Sequence, residues 1–166
     1  MSGKRRYGRP GGGSLLAMMC VNGIVALIVL KLVFVVFGAG TILATGLAAH
    51  AQASLIERGR MLWPMLPGAA FGFSCLWFWL ALIGRSRGVP WGAALLYGVA
   101  IAFANVPFSG FLVGLLHGNP LLGLLLALVS LLLLPSLAVS MIAFGLAMGA
   151  FNGLMAQRWI ARHRPD

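Results

Sequence analysis

The chain has 166 residues, 61% of them hydrophobic and 8% charged, with a mean hydropathy of +1.00. A soluble globular domain carries about 25% charged residues, so this composition excludes a soluble enzyme or a secreted domain and points to an all-α integral membrane protein. Twelve Lys and Arg against two acidic residues give a formal net charge of +10.

In a soluble protein that excess would raise nucleic-acid binding. Here the cations cap hydrophobic runs instead, as topogenic charge does in a membrane protein, and no nucleic-acid partner is expected. Cys20 and Cys75 fall inside apolar runs without metal-ligand spacing, where a thiol acts as a small hydrophobe.

Residues 1–13 read as a basic, flexible cytoplasmic arm ending in Gly11-Gly12-Gly13, with Ser14 able to cap the helix that follows. A helix crosses the roughly 30 Å hydrocarbon layer in about 20 residues. The run from Leu15 to Ala49 is too long for one crossing. It divides into a span at about 15–37, a loosening at Gly38 and Gly40, and a less apolar helical extension at about 41–57. Residues 32–53 also carry the pattern of a signal-peptide apolar region with an A-x-A site, giving a possible cleavage after Ala53. The additional apolar run ahead of Lys31 opposes that alternative.

The second span covers about 61–83. Pro64 is tolerable near its start, and Pro67 predicts a lost hydrogen bond and a bend. Trp63, Trp77 and Trp79 suit interfacial belts. A basic turn, Gly84 to Gly88, leads to Pro90 and a third span at about 91–116. His117-Gly118-Asn119-Pro120 is a tight turn in which Asn119 caps and Pro120 takes the first helical position. The last run is assigned a span at about 121–145 and an amphipathic extension at about 146–160, before a basic tail at 161–166. The whole of 14–160 is one transmembrane helical domain.

The preferred architecture is therefore a four-helix transmembrane bundle with both termini cytoplasmic. Splitting the first and last long runs at Lys31 and Pro135 gives an alternative of six shorter spans, and five is an intermediate count. With four spans, nine Lys and Arg fall inside: Lys4, Arg5, Arg6, Arg9, Arg85, Arg87, Arg158, Arg162 and Arg164. These are expected to contact anionic lipid headgroups, at about 1 kcal/mol each near the surface. Only Lys31, Arg58 and Arg60 oppose them. A bacterial inner membrane fits that bias.

Small residues recur at a spacing of four, which puts them on one helix face. Gly110, Gly114 and Gly118 form one row and Gly145, Gly149 and Gly153 another. Ala94-Gly98-Ala102, Gly40-Ala44-Ala48 and Gly68-Gly72 repeat the pattern. Lipid offers helices no hydrophobic drive to associate, so close backbone approach along such faces carries packing. The rows serve either the chain's own helices or, as a glycine zipper, an oligomer or another membrane protein.

Asn105, Pro107 and Ser109 lie near the middle of the third span, where they form either a hydrogen-bonded kink or a substrate-contacting break. Pro135 has the same two readings. Asn22 and Ser74 read as interhelical hydrogen-bonding groups. No Asp or Glu falls in a span, which demotes proton- or sodium-coupled transport. No catalytic constellation, metal set or cofactor motif is present, and no cofactor is expected.

The leading expectation is a non-enzymatic accessory, assembly or scaffolding subunit that packs through glycine-rich helix faces against another membrane protein or itself. The alternative is a small oligomeric transporter, channel or lipid-translocating protein using the third span. A weaker one is a membrane enzyme acting on lipid at the outer interface through His50, Glu57 or His117.

Overall fold

The computed structural model describes residues 10–45, 63–133 and 135–163, and every element among them is helical. In chain order these are α1 (Gly12–Thr45), α2 (Met65–Arg87), α3 (Trp91–Leu116), α4 (Pro120–Leu133) and α5 (Pro135–His163). Long runs of Leu, Val, Ala and Phe leave a backbone only its own carbonyls to bond in an apolar medium, and the helix is the local solution. Four stretches are long and apolar enough to cross a membrane: Gly12–Val33, Met65–Gly84, Trp91–Leu116 and Leu137–His163. The helix α4 is apolar but shorter.

Several boundaries differ from those expected. The helix α1 runs unbroken past Lys31, Gly38 and Gly40, so neither a split at Lys31 nor a loosening at the glycines occurs. A glycine costs a helix about 1 kcal/mol, too little to end one set in so long an apolar run. Gly12 and Gly13 are already helical, and the Ser14 hydroxyl donates back to the Gly11 carbonyl at 2.9 Å rather than capping. Of the expected extension at 41–57, residues 41–45 belong to α1 and the rest, with Ala53, lies outside the described residues.

In α2, Pro67 is the third helical residue, where a backbone N–H has no intrahelical partner, so it forfeits no bond. The helix also continues through Arg87. The connection to α3 is reduced to Gly88–Pro90, with Gly88 at a φ of 84° that a side chain would strain. The turn after α3 follows the expected chemistry. Gly118 takes a φ of 78°, and the Asn119 side-chain oxygen accepts the Leu122 N–H at 3.1 Å, with Pro120 opening α4.

The largest departure is in the last run. The chain is helical on both sides of residue 134, which lies outside the described residues, and the long apolar stretch among those described is Leu137–His163, where a span at about 121–145 was expected. Residues 146–160 are thus part of a spanning-length helix, with Met148, Asn152 and Ala156 buried, and not a surface extension.

The helix α3 packs against α2, α4 and α5, and α1 packs against α2 and α5. Phe73, Leu80, Met141, Phe144 and Met148 are fully buried, and the Phe73 and Phe144 rings meet edge to face at 5.6 Å. Contact pairs fix the directions. Gly68 faces Asn105 and Phe108 while Gly72 faces Ile101, so α2 and α3 are antiparallel. Gly145 faces Gly98 and Val99 while Gly153 faces Trp91, so α5 is antiparallel to α3 as well. The end of α2, the start of α3 and the end of α5 therefore share one end of the molecule.

Candidate functional site

Two glycine seams hold α3 to its neighbours. In the first, a Cβ built on Gly98 would collide with the Gly145 carbonyl oxygen and lie 2.8 Å from the Gly149 Cα. One on Gly149 would lie 2.5 Å from the Ala94 carbonyl oxygen, and one on Gly153 would lie 2.7 Å from the Trp91 ring. In the second, a Cβ on Gly114 would lie 2.5 Å from the Asn119 carbonyl oxygen and 3.0 Å from the Gly123 Cα, and Gly110 likewise faces Gly123 and Ala127. Backbone touches backbone at both seams, a contact that only glycine permits. Gly118 differs from its row: it lies in the turn beyond α3, with open space around it. Gly40 and Ala44 fall in α1 and Ala48 outside the described residues.

The polar groups at depth form a closed set. The Asn22 side-chain amide donates to Ser74 Oγ and to Asn152 Oδ1, both at 3.1 Å. Asn152 Nδ2 returns a bond to Asn22 Oδ1 at 2.9 Å and gives a second to the Met148 carbonyl at 2.9 Å. Ser74 Oγ donates to the Ala70 carbonyl at 2.7 Å. All three side chains are fully buried. Each amide uses both N–H groups and its oxygen, so the cluster ties α1, α2 and α5 together and leaves no donor over for a ligand.

Asn152 was absent from the expected sites, and so was Gly123. Both carried a signal. Asn152 is the lone amide between Gly149 and Gly153, on a stretch that looked like a surface extension, and Gly123 opposes the Gly110 row across the turn.

Around Pro107 both kinds of hydrogen bond occur. Ser109 Oγ donates locally to the Val106 carbonyl at 2.7 Å, while Asn105 Nδ2 reaches across to the Met65 carbonyl at 2.8 Å. Asn105 is buried, and its Oδ1 has no hydrogen-bond partner. That oxygen rests where Gly68 has no Cβ.

The aromatic residues divide. Trp63 is exposed, and Trp79 meets Tyr97 edge to face at 5.2 Å on the outer surface. Trp77 departs from the interfacial expectation: it is buried against Trp159, with ring centroids 6.3 Å apart, and Trp159 stacks in turn on His163 at 4.4 Å. Trp77 packs in because it shares the inward face of α2 with Phe73 and Leu80.

Of the expected lipid-contacting cations, Arg85 and Arg87 end α2, and Arg158 and Arg162 are exposed near the end of α5. Lys4, Arg5, Arg6, Arg9 and Arg164 lie outside the described residues, as do His50, Glu57, Arg58 and Arg60. Lys31 is exposed, and His117 is exposed with its Nδ1 2.8 Å from the Val113 carbonyl. Among the described residues no group of three or more His, Cys, Asp or Glu is placed to hold a metal ion. Compared with protein-family models, curated proteins and solved structures, the chain finds no match.

Proposed function

We propose that this chain is a four-helix transmembrane bundle of a bacterial inner membrane, with both termini cytoplasmic, and that it serves as a non-catalytic accessory or assembly subunit. One observation carries the reading. The helix α4 packs on α3 through Gly123 and Ala127, and its other side presents Leu121, Leu125, Leu128 and Leu132, all exposed. A helix of another membrane protein laid along that leucine-rich face would bury it by close packing.

The glycine seams lie between helices of the same chain, so the face offered to the partner is the leucine-rich outer side of α4, not a glycine row. The test is purification of tagged protein in mild detergent with mass analysis of everything retained. A stoichiometric membrane partner is expected for the wild type and is lost from Leu128→Ala/Leu132→Ala. Against lipid that truncation costs little, while in a protein interface it removes packed contacts. A wild-type particle with the mass of one chain overturns the reading.

A second reading, a small transporter or lipid-translocating protein, draws on the unsatisfied Oδ1 of Asn105 beside a proline-interrupted helix. It requires solute or lipid flux in proteoliposomes that falls with Asn105→Leu. Unchanged flux in a folded variant removes Asn105 from that role.

A further inference from the structure

The sequence separates Arg85 and Arg87 from Arg158 and Arg162 by about 70 residues, and the fold brings the helix ends that carry them to one place. A Cβ on the buried Gly84 would lie 2.6 Å from Ile160 Cδ1, so the last turn of α2 lies against the last turns of α5. Gly153 seats the Trp91 ring, which brings the start of α3 to the same end. From this convergence we infer that the end of the molecule formed by α2, α3 and α5 is a composite docking surface for anionic phospholipid headgroups.

Within α2 and α5 themselves there is no Asp or Glu, while Arg85, Arg87, Arg158 and Arg162 bring four formal positive charges to these two helix ends. The carbonyl ends of α2 and α5 each supply about half a negative charge, which offsets only part of it.

The surroundings fit a lipid better than a soluble polyanion. Trp91 is partly exposed and Trp159 stacks on the exposed His163, and such rings sit at the headgroup level of a bilayer. One turn deeper the outer surface becomes apolar, with Leu82 on α2 and Leu154 on α5 both exposed. A phosphate among the arginines thus places its acyl chains along aliphatic side chains of the same two helices.

Full-length protein is purified in mild non-ionic detergent and offered an equimolar mixture of phosphatidylglycerol and phosphatidylcholine, and bound lipid is read by native mass spectrometry. Phosphatidylglycerol is expected to be retained several-fold over phosphatidylcholine at low salt, and less so as salt rises. Either Arg85→Gln/Arg87→Gln or Arg158→Gln/Arg162→Gln lowers that preference on the order of tenfold, while Lys31→Gln leaves it unchanged. Arg→Lys versions of both pairs keep the charge and the preference, and so answer for any glutamine variant that misfolds. Equal retention of the two lipids, a preference untouched by both glutamine pairs, or one lost in the lysine versions overturns the inference. So does wild-type protein that retains nucleic acid without lipid preference, which would assign the cations to a different polyanion. Because the readout is lipid selectivity of the isolated chain, its failure is separable from the absence of a protein partner.

Discussion

At the scale of single residues, the fold depends on a few amides in an apolar interior. Asn22 and Asn152 exchange hydrogen bonds in both directions and Asn22 also holds Ser74, so no partner can be removed alone without stranding another. Asn152→Leu leaves Asn22 buried with an unmet acceptor and donor. The expected loss is about 1–3 kcal/mol, read as a shift in the unfolding midpoint in detergent. The triple change Asn22→Leu/Asn152→Leu/Ser74→Ala removes every member together and is expected to recover part of that loss. Recovery is the informative result, since purely steric damage would accumulate instead. Asn22 and Ser74 were legible in the sequence as interhelical donors because polar residues are rare in these runs. Their shared partner was not. A hydrogen bond across 130 residues is a property of which helices meet, and Asn152 sat on a stretch wrongly assigned to the surface.

At the scale of helices, glycine at a spacing of four was readable, but the chain's own helix opposite each row was not. Small residues announce close approach without naming what approaches. The structure grades the glycines by what a methyl group would meet. On Gly98 it would press into backbone of α5 on two sides, which cannot yield, so Gly98→Ala is expected to destabilise by about 1–3 kcal/mol. On Gly23 it would lie 3.6 Å from the Ala70 Cβ, an ordinary contact, and on Gly92 it would meet nothing within 4 Å. There alanine restores helix propensity worth up to about 1 kcal/mol, so Gly23→Ala and Gly92→Ala should hold or raise the midpoint. If all three variants unfold at the wild-type midpoint, the α3–α5 seam is looser than its backbone contacts imply. Gly114→Leu and Gly149→Leu extend the comparison: both should weaken the isolated chain itself, whereas Leu128→Ala/Leu132→Ala should cost only the partner. Pro135 was visible as a possible interruption, and the helices described on either side of it, α4 and α5, pack on different stretches of α3.

For the whole molecule, charge and packing supply independent arguments about threading. Nine of the twelve Lys and Arg fall in three places, the arm, the end of α2 and the end of α5 with the tail beyond it, and the positive-inside rule would put those on the cytoplasmic side. The packing uses no charge at all, yet the antiparallel contacts of α3 with α2 and α5 gather the α2–α3 connection and the end of α5 at one end, leaving the Gly118 turn at the other. Both lines of reasoning put the ends of α2 and α5 together. A reporter of membrane side inserted at Gly88, at Gly118 or after Asp166 separates them from the alternatives. The first and third should report the cytoplasm and the second the opposite face. Six shorter spans would also keep both termini inside, so the deciding position is one that the two threadings treat differently. A segment that turned back at Lys31 would expose residues just beyond it on the outer face and return the chain to the cytoplasm before α2. The unbroken α1 carries the chain past Lys31 in one direction, so a cysteine at Thr45 should be labelled only from the side opposite Gly12. Labelling of Thr45→Cys from the cytoplasmic side would mean that the helix does not cross, and the four-span threading would fail with it.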